Sequence, residues 1–456
     1  MARDVTDATP IESRDELVGW IEKGNKPDSA FRVGTEHEKV PFYLADHAPV
    51  PYAGPRGVRA LLEGMQGLLG WEPIMEGETI IGLLDVTGGG AISLEPGGQF
   101  ELSGAPVETV HQTCAELHAH LAQVKEIADP LGIGFLNLGM SPVWTRAGTP
   151  VMPKGRYKIM SAYMPKVGRL GLDMMFRTAT VQANLDFSNE ADMVRKLRVS
   201  LALQPVATAL FANSPFTDGR PNGFLSMRSE IWRDTDNARA GMLPFAFEDG
   251  MGFERYVDYA LDVPMYFVKR GATYHDVAGA SFRDLLAGRL AQLPGERASI
   301  SDWANHLSTI FPEVRLKRYL EMRGADAGDA AMICAMPALF VGLFYHRPAL
   351  DAAWDLVKDW SAAERQKLRD DVPRLALEAT IRGRAVRDLA REVLDLARAG
   401  LAARRRLDSQ GRDETRFLAP LDAIVESGRV GAQALLEKYH GEWRGDIDRV
   451  FADAAH

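Results

Sequence analysis

The chain has 456 residues, of which 53 are Lys or Arg and 62 are Asp or Glu, so its formal net charge is −9. That acidic excess excludes a protein that coats nucleic acid, because phosphate binding needs a basic footprint, and it argues against an anionic membrane surface as partner. Hydrophobic residues at 46% and charged residues at 25% describe a packed globular chain, and the length allows two or three domains or one large enzyme domain with helical additions.

The first ten residues lack a basic segment followed by an apolar one, so no secretory signal is read there. Ser13 then opens a short amphipathic helix over Arg14 to Lys23, with Glu16 at capping-box spacing. The next segment, Phe31 to Val40, reads as a strand. Residues i and i+2 of a strand share a face, so Glu36 and Glu38 lie together with Arg32 and Gly34, while His37 and Lys39 point the other way. Two neighbouring carboxylates repel unless a cation sits between them, and hard divalent cations take carboxylate oxygens. Taken alone, such a pair is equally the solvated face of an edge strand.

Arg56 to Leu69 is a second helix. Ala91 to Ser103 is a pair of short strands around the turn at Pro96-Gly97-Gly98. Glu95 precedes that turn, and Gln99, Glu101 and Ser103 share a face beyond it; the plain alternative is a hairpin with a polar outer face. Glu108 to Ala128 is a third helix, predicted to stop at Asp129-Pro130. Met152 to Tyr157 follows as a turn in which Lys154 and Arg156 flank Gly155, two cations on a mobile backbone or a solvated loop. In the next strand Thr178, Thr180, Gln182, Asn184 and Asp186 alternate with Ala179, Val181, Ala183, Leu185 and Phe187, which predicts a half-buried strand. A row of amides and hydroxyls suits a cavity that holds a polar ligand.

A fourth helix is expected over Ala191 to Asn213, bent near Pro205, and Arg228 in Phe224-Leu-Ser-Met-Arg228-Ser lies beyond it as a second basic site or a structural ion pair. Arg315 to Arg323 reads as one strand with Arg315, Lys317, Tyr319, Glu321 and Arg323 on one face. Ala330 to Tyr345 is uncharged but falls short of a membrane span, so it is read as core. Asp351 to Arg406 carries Ala, Leu, Arg and Glu at helical spacing. Strands interleaved with helices make the chain α+β or α/β. Together the polar strand faces supply Glu36, Glu38, Glu95, Glu101 and Glu321 as metal-ligand candidates, with arginines able to hold carboxylates or phosphates bidentately. No phosphate-loop, dinucleotide, zinc-protease or nucleophile-elbow motif occurs, so phosphates would be held by a metal and basic residues. Two cysteines form neither a disulfide framework nor a CxxC metal site, and a soluble, cytoplasmic protein is the expectation.

Six stretches in this order resemble the glutamate–cysteine ligases of the plant and proteobacterial type. They are Gly34-Thr-Glu-His-Glu-Lys39, Ser93-Leu-Glu-Pro-Gly-Gly-Gln-Phe-Glu-Leu-Ser-Gly104 and Met152-Pro-Lys-Gly-Arg-Tyr157, then Gly171-Leu-Asp-Met-Met-Phe-Arg-Thr178, Asn222-Gly-Phe-Leu-Ser-Met-Arg228 and Phe311 to Asp326. The likeness runs from about residue 30 to Gly441-Glu-Trp443 and weakens after about residue 350. The resemblance implies an α+β fold like the catalytic domain of glutamine synthetase: a curved, mainly antiparallel sheet forming a funnel backed by helices. Residues 1–456 would be one catalytic domain, with 351–456 its helical C-terminal portion.

It further implies ATP-dependent ligation of the L-glutamate γ-carboxylate to the L-cysteine amine through γ-glutamyl phosphate, the first step of glutathione synthesis, with Mg²⁺ as cofactor. Glu36, Glu38 and Glu321 would be the better supported metal ligands, with Glu95 and Glu101 in the set or just behind it. Arg228 would pair with a glutamate carboxylate, Lys154 and Arg156 would meet phosphates, and Arg323 would stabilise the transferred phosphoryl group. Thr180, Gln182 and Asn184 would line the substrate cavity. A monomer or weak homodimer without nucleic-acid or membrane partners is expected. Two other readings stay open: a related γ-glutamyl ligase with another amine acceptor, and a non-catalytic amino-acid-binding relative. Cys114 and Cys334 occupy the positions of one plant disulfide, against the alternative of two separate reduced thiols. The second plant pair is replaced by Tyr274-His-Asp-Val277 and Leu290-Ala-Gln292-Leu.

Overall fold

Period-two alternation, with carboxylates or amides on one side and β-branched or aromatic residues on the other, decides which segments become sheet. The computed structural model describes residues 6–456. Nine of its strands form one sheet. They are β1 (Val33–Tyr43), β2 (Glu72–Glu76), β3 (Thr79–Leu84), β4 (Ala91–Leu94), β5 (Phe100–Ser103), β6 (Ile133–Leu136), β7 (Thr180–Leu185), β8 (Val314–Leu316) and β9 (Leu320–Asp326). Their spatial order is β8-β9-β7-β1-β5-β4-β3-β2, with β6 paired to the far end of β1, and every pairing is antiparallel.

One face of this sheet is covered by helices. Val181, Ala183 and Leu185 of β7 pack into the same buried cluster as Leu197 and Leu201 of the helix Glu190–Leu210 and as Phe340 of the helix Ala330–Phe344. Phe100 and Leu102 of β5 pack with Leu61, Leu62 and Met65 of the helix Val58–Leu69 and with Val124 of the helix Val110–Leu131. The helices Ala362–Leu375 and Val386–Arg404 belong to the first of these clusters, which runs from Ile11 to Ala432. The reverse face is not wholly apolar, since His37 and Lys39 lie on it: Lys39 is fully buried, with Nζ 3.1 Å from His120 Nε2, and burial pushes its ammonium down to about 7.

Several expected boundaries move. The third helix continues through Pro130 to Leu131, because its stop is Gly132, left-handed at φ +71°, whose N–H closes on Ala128 and Asp129. The helix Glu190–Leu210 runs on through Pro205 and ends three residues before Asn213. At Ser13 the capping box is incomplete. Glu16 Oε1 accepts the Glu12 N–H at 3.1 Å and Ser13 Oγ at 3.5 Å, while the Ser13 side chain caps nothing. The largest correction is at Arg315 to Arg323, which is a hairpin and not one strand: Lys317 N–H donates to Tyr319 O at 2.9 Å, and β9 turns back on β8. The polar alternation survives the turn, but Arg315 now stands opposite Glu321 instead of beside it. Ala330–Phe344 is buried core, and no single helix among the described residues is long and apolar enough to cross a membrane.

Candidate active site

The face of the sheet opposite the helices carries the polar side chains in rows across the strands. Ser93, Glu101 and Glu38 are successive cross-strand partners on β4, β5 and β1. The next row holds Ser103, Glu36 and Gln182, and a third holds Asn184, Glu321 and Arg315. A cleft opens over this face. Its lining includes the four glutamates Glu36, Glu38, Glu95 and Glu101 and the four arginines Arg156, Arg228, Arg315 and Arg323, together with Thr180, Gln182, Trp232 and Phe311.

The acidic cluster is electrostatically costly as it stands. Burial and then the neighbouring Glu95 and Glu101 charges push the Glu38 carboxyl well above its usual range. Burial and then Glu321 raise Glu36 as well. Glu36, Glu38 and Glu101 are held by donors from the sheet. Asn184 Nδ2 donates to Glu36 Oε1 at 2.8 Å, the Thr180 backbone N–H to Glu38 Oε2 at 3.1 Å, and Ser93 and Ser103 hydroxyls to Glu101. Glu95 sits at the β4–β5 turn, which Gln99 ties down. The Gln99 amide accepts the Gly97 N–H at 2.9 Å and donates to Thr178 O at 2.7 Å. Gly97 is required there, since a Cβ would stand 2.0 Å from Phe176 O. Mutually repelling carboxylates with raised affinity for positive charge are the donor chemistry a hard divalent cation takes. Among the described residues no three such side chains are already gathered as a closed cage.

Glu321 differs from the other four. It is fully buried and held by Arg315 at 2.7 Å, Lys317 at 2.9 Å and Arg323, and these cations keep it well below the usual carboxylate range despite its burial. It does not line the cleft. What it does is fix two arginines at the cleft wall: Arg323 reaches from it to Gln182 Oε1 at 2.7 Å. Asn184 is likewise spent on Glu36, while Thr180 and Gln182 face the cleft.

The basic turn also divides. Residue 155 begins a helix, Gly155–Tyr163, so the loop is shorter than expected. Arg156 lines the cleft, whereas Lys154 is buried, its Nζ donating to Leu94 O at 2.9 Å beside Tyr157. Arg228 comes from the short helix Met227–Ile231 and is 3% exposed, with Nη2 on Arg323 O at 2.8 Å. Trp232 and Phe311 were not singled out by the strand faces. They pack on each other with centroids 5.7 Å apart and lie 5.9 and 5.5 Å from the Arg323 guanidinium. The readable signal for Trp232 was its position four residues after Arg228. Away from the cleft, Cys114 and Cys334 are free thiols in hydrogen-bonding contact, which with His118 brings Cys114 down to about 6.

The family model for glutamate–cysteine ligase family 2 matches residues 32–453. Two chloroplastic glutamate–cysteine ligases are 55% identical to the chain. One, from Nicotiana tabacum, aligns over 449 residues, 98% of this chain and 84% of the relative; the other, from Arabidopsis thaliana, over 446 residues, 98% and 83%. A crystal structure of the Francisella tularensis glutamate–cysteine ligase in complex with AMP has the same fold, with TM-score 0.55, 14% identity, and coverage of 93% of this chain and 88% of that one. The expectation of a cytoplasmic protein is corrected by these relatives, which are named as chloroplastic.

Proposed function

The chain belongs to glutamate–cysteine ligase family 2, and from that premise we propose that it joins the γ-carboxylate of L-glutamate to the amine of L-cysteine, driven by ATP, as the first step of glutathione synthesis. The observation that carries the reading is a single cleft lined by four glutamates and four arginines. A passive amino-acid binder has use for the arginines but none for four repelling carboxylates. The helices from 351 to Ala432 share a buried core with the sheet, and Leu435, Val450 and Phe451 pack with Val40 and Phe42 of β1, which supports a single catalytic domain that includes the helical portion 351–456.

A carboxylate is a poor acyl donor. Its γ-oxygen must first take the terminal phosphoryl group of ATP, with ADP leaving; the cysteine amine then attacks the acyl carbon, and inorganic phosphate departs. Glu36, Glu38, Glu95 and Glu101 are the residues that would hold Mg²⁺. When bound, the ion neutralises charge on the ATP phosphates and on the attacking carboxylate. Glu321 acts through Arg315 and Arg323, whose guanidinium groups it holds at the cleft wall. Arg228 takes a glutamate carboxylate, and Arg323 faces the transferred phosphoryl group. Arg156 meets phosphates, and Lys154 anchors the start of its helix through Leu94 O. Thr180 and Gln182 line the substrate space.

A phosphate-release assay with glutamate and ATP, scanned over cysteine and other amines, tests this. Release with cysteine is expected. Release with another amine and not with cysteine would make the chain a ligase of different acceptor, and no release with any amine would overturn the catalytic reading.

A further inference from the structure

Asp326, the last residue of β9, is fully buried and takes no part in the chemistry above. Its carboxylate accepts three hydrogen bonds. Oδ2 takes the Asn213 N–H at 2.9 Å and Ser214 Oγ at 2.7 Å, and Oδ1 takes Ser226 Oγ at 2.8 Å. Both hydroxyls pass the contact on to the helix that carries Arg228. Ser214 Oγ accepts the Arg228 backbone N–H at 3.2 Å. Ser226, the N-cap, accepts the Ser229 N–H at 3.2 Å. The other end of Arg228 is tied to the same strand, through Arg323 O at 2.8 Å.

A helix of five residues does not hold its own shape in isolation. Its position must come from outside, and here both the backbone and the guanidinium of Arg228 are referred to β9. Gly139 backs this side chain closely: a Cβ there would stand 2.4 Å from Asp326 Cγ, so only glycine leaves room for the carboxylate. Asp326 also exerts the largest favourable charge on the buried Arg228 guanidinium.

We propose that Asp326, acting through Ser214 and Ser226, is the positioning residue that sets Arg228 for the glutamate carboxylate. This rests on the assignment of Arg228 made above. Removing the Asp326 charge or the Ser214 hydroxyl loosens Arg228 without touching Arg156 or the four cleft glutamates, so the loss falls on one substrate.

The test measures KM for glutamate and for ATP, kcat, and the thermal unfolding midpoint for Asp326→Asn, Ser214→Ala, Arg228→Ala and the Asp326→Asn/Arg228→Ala double variant. Asp326→Asn and Ser214→Ala are each expected to raise the glutamate KM about tenfold, the loss of about one buried hydrogen bond, with the ATP KM held within about twofold. In the Arg228→Ala background Asp326→Asn should add less than about twofold, because the residue it acts through is already gone. If Asp326→Asn does not fold, Ser214→Ala, which removes one hydroxyl, decides alone. Equal rises in both KM values, full additivity, or an unchanged glutamate KM in either folded variant while Arg228→Ala raises it would each overturn the positioning role. An unchanged glutamate KM in Arg228→Ala would overturn the Arg228 assignment itself, and the inference with it. Where turnover of Arg228→Ala is too slow, the glutamate dissociation constant from calorimetry replaces KM.

Discussion

Glu36 shows what the site asks of a single residue. It is 6% exposed, and burial together with Glu321 and Glu101 pushes its carboxyl up, so the folded chain without a cation carries a charge it does not favour. Asn184 holds one of its oxygens at 2.8 Å. In Glu36→Gln that hydrogen bond is kept and the charge removed. Turnover at saturating Mg²⁺ is expected to fall by about 100-fold or more, the size of effect typical of losing a group that stabilises charge in the transition state. The unfolding midpoint of the metal-free protein should hold or rise. Full activity in this variant would take Glu36 out of the proposed ligand set. The two halves of the result belong together: a residue strained for function is expected to cost stability when its partner is missing.

At the scale of elements, strand parity was the legible part. The faces read from Glu36 and Glu38, from Glu101 and Ser103, and from Thr180 and Gln182 are the faces that meet across β5, β1 and β7. The turn that makes Arg315 and Glu321 opposite partners was not legible, because Lys317-Arg318-Tyr319 has no Gly, Pro or Asn to mark it. The helix layer behind the sheet depends on close approach between Ala330–Phe344 and Val386–Arg404. A Cβ on Gly342 would lie 2.2 Å from Ala397 O, and one on Gly400 1.8 Å from Gly342 O. Both obstacles are backbone, so neither can move aside alone. Gly342→Ala is expected to destabilise the fold by about 1–3 kcal/mol, read as a lower midpoint in denaturant. A variant as stable as the parent would mean that the helices are free to separate.

At the scale of the whole molecule, stability and ligand binding both depend on pH through buried groups. His306 is buried against Phe282, with Nε2 2.8 Å from Ala260 O, and burial brings it down to about 4 from an ordinary value of 6.5. Between those values the unfolded chain binds a proton that the folded chain refuses, so stability falls as pH drops from about 6.5 to about 4, by roughly 3 kcal/mol in all. His306→Gln should flatten that part of the unfolding-midpoint profile; an unchanged slope would assign the acid lability elsewhere. Glu36 and Glu38 have the opposite sign. A raised carboxyl binds its proton more tightly when folded, so the metal-free protein loses stability as pH rises past the ordinary carboxylate range. Mg²⁺ is expected to raise the unfolding midpoint by binding the folded state. That rise should shrink as pH falls, because protons compete for the same oxygens. A shift that ignores pH would place the ion away from these glutamates.

The sequence by itself determined the family, through six ordered motifs, and the polar sides of its strands, because period-two alternation is a local property of the chain. It also determined the acidic excess of −9, which excluded nucleic-acid coating without saying where the acids act. Tertiary structure decided the rest. It separated four cleft glutamates from Glu321, which three cations hold. It split Lys154 from Arg156 on one turn, joined Trp232 and Phe311 beside Arg323, and set Asp326 behind Arg228. The physical reason is common to all four: whether a charge faces a ligand or a neighbour depends on what folds opposite it. That partner lies on another strand or helix, in a register that no local spacing encodes.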